Sequence, residues 1–145
     1  MTSANKAKGS SKQKGQNTDR QCHQTGMVGE GKFIAWASTQ GWDLYRGLDG
    51  HTRCDYIVDD GEKLFKVEIK RMESEQKTHR NYYYVTATKL DTSKFDFLFA
   101  STPVGDYFIP ADKCPSKTLS IKVVGGEYER NITAKGKYEE YRVES

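Results

Sequence analysis

The chain has no apolar run near the roughly 18 residues of a membrane span, and its N-terminus lacks the apolar stretch of a signal peptide. These two absences predict a soluble, cytoplasmic protein. Cysteine is scarce: Cys22, Cys54 and Cys114 stand far apart, with no CxxC pair and only Cys22-His23 as neighbours. An odd count at such spacing argues against a disulfide framework and against structural zinc, leaving buried or incidental thiols. His23, His51 and His79 are scattered singly, none with a partner at metal or triad spacing, so none is given a catalytic role. No internal repeat is visible. Asn131-Ile132-Thr133 fits a glycosylation acceptor, a pattern without meaning in a chain that is not secreted.

What is present is charge, and it is unevenly divided. Lys6, Lys8, Lys12, Lys14 and Arg20 face only Asp19 within residues 1–25, so that segment carries +4 of the net +3 and the rest of the chain sums to −1. A tail rich in Lys, Ser, Gly, Gln and Asn cannot bury a core and is expected to be disordered. It reads equally as a sequence-independent grip on nucleic-acid phosphate and as a solubilising leader. Residues 26–145 are expected to form one domain, long enough for a single core.

Local patterns give that domain an α+β order. Thr25 is a candidate cap for a helix over about 26–40, stopped by Gly41, although glycines at 26, 29 and 31 move its first turn towards Val28. Its apolar stripe runs through Phe33, Ile34 and Ala37, and Glu30 falls on the same stripe. A carboxylate there has either a functional reason or the ordinary welcome of a first helical turn. Strands are predicted at 42–46, 53–58, 63–70 and 82–86, with 71–81 as a polar loop. Apolar runs at 95–100 and 107–109 flank a Pro103-Val104-Gly105-Asp106 turn, and 118–124 and 127–133 flank Gly125-Gly126. A short helix over 87–94 or 111–117 is only weakly patterned. Trp36 and Trp42 read as core. Tyr83 and Val85 point one way and Tyr82 and Tyr84 the other, for cross-strand packing or base stacking.

The stretch CDYIVDDGEKLFKVEIKR, residues 54–71, carries the chemistry. Asp59-Asp60-Gly61-Glu62 is a hairpin signal. A turn at Asp60-Gly61 pairs Ile57 with Leu64 and sets Asp55 opposite Lys66, so Asp55 shares a face with Glu68 and Lys70 and is the diagonal neighbour of Glu68. An odd-length loop would flip one strand and part them. Two carboxylates at that spacing repel unless a cation lies between them, and Mg²⁺, with Mn²⁺ as a substitute, is the natural occupant, bound by Asp55 and Glu68. Lys70 would orient or deprotonate the attacking water or stabilise charge at phosphorus, and Glu30 would add an outer contact or a further ligand. That chemistry is phosphodiester hydrolysis. The bland alternative is an exposed strand bearing an ordinary Glu68–Lys70 ion pair.

A helix with Glu30, a strand, an Asp55 strand and a Glu68-Ile69-Lys70 strand resembles the PD-(D/E)XK nuclease superfamily. The run Leu90-Asp91-Thr92-Ser93-Lys94-Phe95-Asp96-Phe97-Leu98-Phe99, followed by Asp106-Tyr107-Phe108-Ile109-Pro110, resembles the group I intron-associated endonucleases of that superfamily in particular. The front half is also similar to archaeal Holliday junction resolvases. The likeness covers about 26–113 and departs at Cys54, where the pattern has proline. It implies an α/β/α-like restriction-endonuclease core with a mixed central sheet and a catalytic hairpin. It also implies catalytic roles for Glu30, Asp55, Glu68 and Lys70, and a metal-dependent, homing-type or site-specific DNA endonuclease.

On that reading Arg71, Lys77, His79, Arg80 and Asn81, just beyond the ExK strand, are the phosphate contacts, against the plain alternative of a solvated loop. DNA is the partner, and cutting two strands calls for a homo-oligomer, a dimer or higher. The rival readings are a junction-selective resolvase, a non-catalytic nucleic-acid-binding module that relies on the basic tail, and a small β-rich interaction domain.

Overall fold

A computed structural model of the protein describes residues 24–48, 54–73, 75–76, 82–86, 90–115, 118–122 and 138–144. The basic tail, the expected strand at 127–133 and Lys77, His79, Arg80 and Asn81 lie outside the described residues. No helix among the described residues is long and apolar enough to cross a membrane.

Helix α1 occupies residues 24–39. Thr25 lies inside it and is not its cap. The glycines do not delay its start, because the helix is supported by tertiary packing more than by propensity. Phe33 and Ala37 are fully buried and Trp36 is partly buried, whereas Ile34, expected on the stripe, is exposed. The buried stripe is therefore Gly29, Phe33, Trp36 and Ala37, rotated from the expected one. Gly29 is on it for a steric reason: a Cβ there would sit 3.1 Å from Arg71 Cβ and 3.5 Å from Ile69 Cγ2. The C-terminus closes as a Schellman motif. Trp42 N–H donates to Ala37 O (3.3 Å), Gly41 N–H donates to Ser38 O (3.1 Å), and Gly41 adopts φ 74°.

The strands are β1 (Asp43–Arg46), β2 (Tyr56–Asp59), β3 (Leu64–Arg71), β4 (Glu75–Gln76), β5 (Tyr82–Thr86), β6 (Phe97–Thr102), β7 (Gly105–Pro110), β8 (Thr118–Lys122) and β9 (Arg142–Val143). A mixed six-stranded sheet runs β1-β2-β3-β6-β7-β9, and a second sheet runs β4-β5-β8. All pairs are antiparallel except β3 with β6. The short helix expected over 87–94 or 111–117 is reduced to single 3₁₀ turns at Thr92–Lys94 and Ala111–Lys113. Residues 75–76, expected within a loop, pair with β5 over two residues, too few for side-chain alternation to announce.

Strand alternation divides the core into two layers. On one face of the main sheet, α1 covers Tyr56, Val58, Phe65, Val67 and Phe99, joined by Trp42, Phe97 and Phe108. The rings interlock: Phe97 stacks on Phe108 at 4.4 Å, and Trp36 meets Trp42 edge-on at 5.2 Å. On the other face Leu98, Ala100, Tyr107 and Ile109 cluster with Leu119 and Ile121 of β8 and with Tyr138. Among the described residues the second covering layer is thus a small sheet, where the α/β/α pattern has a helix.

The parallel β3–β6 pair is pinned at its start by one residue. Asp96 N–H donates to Lys66 O (2.9 Å), and the Asp96 carboxylate accepts the Lys66 N–H (2.8 Å). Two glycines of α1's neighbourhood test the account with opposite signs, since neither has a neighbour in its way. Gly41→Ala should lower stability by about 1 kcal/mol, because only the left-handed backbone opposes it, while Gly31→Ala should raise stability by about 0.5–1 kcal/mol through helix propensity. Urea midpoints of the two variants check both.

Candidate active site

The hairpin β2–β3 is closed by four residues, Asp60–Lys63. Asp60 Oδ1 accepts the N–H groups of both Glu62 and Lys63 at 2.8 Å, and Asp59 Oδ1 accepts that of Gly61 at 2.8 Å. Gly61 supplies the positive φ of 95°. The turn is even in length, as the shared face requires, but it lies one residue beyond the expected Asp59–Glu62. Consequently Ile57 pairs with Lys66, not Leu64, and Asp59 pairs with Leu64. The expected register is off by two residues because the Asp60 carboxylate ties down Lys63 as well as Glu62.

A two-residue shift preserves the face and shortens the reach. Asp55 N–H donates to Val67 O (3.1 Å), the carbonyl of the residue paired with Tyr56, which holds Asp55 against β3 just ahead of β2. Here β2 has not yet begun, and the Asp55 side chain substitutes for it: Oδ2 accepts the Ile69 N–H at 2.7 Å. Glu68 and Lys70 project from the face of β3 opposite Phe65, Val67 and Ile69, with Lys70 Nζ 3.7 Å from Glu68 Oε1. Asp55, Glu68 and Lys70 are therefore brought together.

Their electrostatics are those of an acid pair that Lys70 offsets only in part. The Glu68 carboxyl is pushed up to about 7, first by burial and then by the charge of Asp55, against the pull of Lys70 and Lys94. Its side chain is 20% exposed. Asp55 reaches the surface, yet the protein around its carboxyl also raises its pKa; the Ile69 N–H and Lys70 oppose that rise and Glu30 adds to it.

Glu30 arrives from the helix side and is already engaged. Its Oε1 accepts hydrogen bonds from the Tyr56 hydroxyl and from Arg46 Nη1, the latter at 2.7 Å. These bonds, Tyr56 foremost, hold the Glu30 carboxyl below its ordinary range, while burial and then Glu30 push the Tyr56 phenol up to about 12. Tyr56 and Arg46 were missed from sequence. The signal existed for Tyr56: alternation sends it to the helix face when Asp55 goes to the other.

Arg71 is corrected from a loop contact to the last residue of β3. Its side chain is 9% exposed, with Nε 2.9 Å from Glu73 and Nη1 donating to Ser101 Oγ at 2.8 Å. Ser101 in turn donates to Asp106 Oδ1 at 2.6 Å. The guanidinium is committed inside the protein. Cys54, in the place of proline, has its Sγ 3.5 Å from Tyr56 O and a thiol raised by burial.

Among the described residues no three His, Cys, Asp or Glu side chains gather as a cation cage. The chain offers two carboxylates, a set that suits a hard cation taking its other ligands from water and substrate phosphate.

No family model and no curated protein matches the chain. Among solved structures, the chain is similar to the bacterial homing endonuclease I-Ssp6803I at 21% identity and a TM-score of 0.67, over 83% of this chain and 87% of that one. A further similarity, at 13% identity and a TM-score of 0.44 over 67% of this chain and 88% of the other, is to Hjc, a Holliday junction resolvase of the archaeal hyperthermophile Archaeoglobus fulgidus. The chain shares its α+β fold, one N-terminal helix followed by a mixed six-stranded sheet, with I-Ssp6803I.

The Glu68 shift has a sign that can be measured in metal-free protein. A carboxyl raised from its ordinary 4.5 to about 7 binds its proton more tightly when folded. Its contribution is present in full below about 4.5 and is lost as pH rises through 7. Stability in EDTA should fall by about 3 kcal/mol over that interval, and Glu68→Gln should abolish most of the fall. Urea titrations at several pH values check this.

Proposed function

We propose that the protein is a Mg²⁺-dependent DNA endonuclease of site-specific, homing type, acting through Asp55, Glu68 and Lys70. The observation that carries the reading is the convergence of Asp55, fixed by the Ile69 N–H, with Glu68 and Lys70 on one face of β3, where burial and then the charge of Asp55 push the Glu68 carboxyl up to about 7. A divalent cation bound between the two carboxylates would relieve their repulsion.

Asp55 and Glu68 would hold the ion. When bound, it would polarise the phosphodiester and stabilise the leaving oxygen. The Ile69 N–H fixes Asp55 by Oδ2. Lys70 stands beside Glu68 on the same strand face, where its ammonium orients the attacking water and offsets charge that grows on the phosphate oxygens. Glu30, held by Arg46 and Tyr56, steadies the helix start against the hairpin and serves as an outer-shell group.

DNA is the substrate class we assign, by the likeness of fold to a homing endonuclease. Of the phosphate contacts read from sequence, Arg71 is set aside because its guanidinium is engaged inside the protein. Lys77, His79, Arg80 and Asn81 keep that assignment. Cleavage of both strands requires two such sites, hence a homo-oligomer.

Two measurements test the reading. Lys70→Ala and Asp55→Ala should each slow plasmid cleavage by about a hundredfold or more while circular dichroism stays unchanged. EDTA should silence the wild type, and full activity in either variant or in EDTA overturns the proposal. Calorimetry in two buffers at pH 6 should show up to about one proton released per Mg²⁺ bound, contributed by Glu68. A non-catalytic DNA-binding module would bind DNA without cleavage and without proton release.

A further inference from the structure

The side chains of β3 that face away from α1 are Leu64, Lys66, Glu68 and Lys70. Same-face residues on a strand stand about 6.6 Å apart, so Lys66 and Lys70 lie roughly 13 Å apart with Glu68 midway. Lys66 is exposed and forms no ion pair among the described residues, whereas Lys70 and Lys94 each approach a carboxylate, at 3.7 and 3.8 Å. Asp59, its diagonal neighbour across the ladder, turns Oδ1 to the Gly61 N–H.

The backbone of Lys66 is held on both sides. Asp96 takes its N–H at 2.8 Å and donates to its carbonyl at 2.9 Å, and Ile57 pairs with it from β2. Its ammonium therefore moves on a flexible stem from a fixed root on a rigid element. On the outer face Ile57 and Leu64 beside it are exposed, so no protein layer covers the spot among the described residues.

A phosphodiester that approaches Asp55 and Glu68 meets two negative groups. Cations on both sides offset that repulsion, and Lys70 supplies only one of them. We propose that Lys66 is the other: a phosphate-positioning residue that grips the cleaved strand on the side of the scissile bond opposite Lys70. The inference rests on the endonuclease reading above. Consecutive phosphates of one DNA strand are spaced about as widely as same-face residues of a β-strand, so a strand lying along β3 brings the phosphate next to the scissile one over Lys66. A lysine there grips as a point charge and reads no base.

The test uses the full chain on a cleavable duplex. Lys66→Ala should raise KM about tenfold, with a smaller fall in kcat, and should make the salt dependence of binding shallower by about 0.9 in log–log slope, the loss of one phosphate contact. Lys66→Arg should restore both. Lys32→Ala, on the opposite side of the sheet, should keep wild-type KM and slope. An active wild type whose Lys66→Ala variant shows unaltered KM and salt slope, or a loss confined to kcat, overturns this proposal alone. A wild type that neither binds nor cleaves DNA overturns the endonuclease reading and this proposal with it.

Discussion

Two N–H groups directed at one oxygen of Asp60 organise the outer half of this molecule. They close a four-residue turn between β2 and β3, and the even length of that turn fixes which way every later side chain points. Phe65, Val67 and Ile69 go to the helix layer, and Glu68 and Lys70 to the other face. The same parity puts Tyr56 under the helix and Asp55 beside Glu68. A turn one residue longer or shorter would bury the charges and expose the phenylalanine, so core and site are consequences of one constraint.

The helix is bound to this hairpin by shape and by charge. Gly29 lets α1 approach Ile69 and Arg71 closely, and that approach carries Glu30 to the hydroxyl of Tyr56 and the guanidinium of Arg46. Behind it, the aromatic layer that includes Phe33, Trp36, Trp42 and Phe108 leaves little freedom for the helix to slide. On the far face Asp96 sets the parallel register of β3 against β6 by satisfying the first unpaired peptide of the ladder on both of its sides.

Much of this was legible in sequence. The alternation of Phe65, Val67 and Ile69 against Glu68 and Lys70, the stop at Gly41 and the turn at Pro103-Val104 are local patterns, each with a short-range cause. Convergence of Asp55 with Glu68 and Lys70 followed from parity and survived a two-residue error in register. What escaped was set by groups distant in the chain or by side chains acting on backbone. The reach of Asp60 to Lys63, the rotation of the helix stripe forced by Gly29 meeting Arg71, the capture of Glu30 by Arg46 and the inward turn of Arg71 towards Ser101 have no periodic signature. The pairing of β4 with β5 and of β7 with β9 spans two residues each, below the length at which a pattern can be read.

The Asp96 clamp bears on the order in which the molecule assembles. Asp55 and Ile69 are 14 residues apart, whereas Lys66 and Asp96 are separated by 30 and by a crossover. Closing the longer loop costs only about 0.6 kcal/mol more for the doubling, but it orders the crossover as well, so the hairpin is the natural early element. At that stage Asp55 and Glu68 meet in water, where their repulsion is screened. Glu68 gains its neighbour Leu98 only when β6 docks beside β3, so the cost of bringing the acid pair out of water belongs to the later step and bears on unfolding more than on folding.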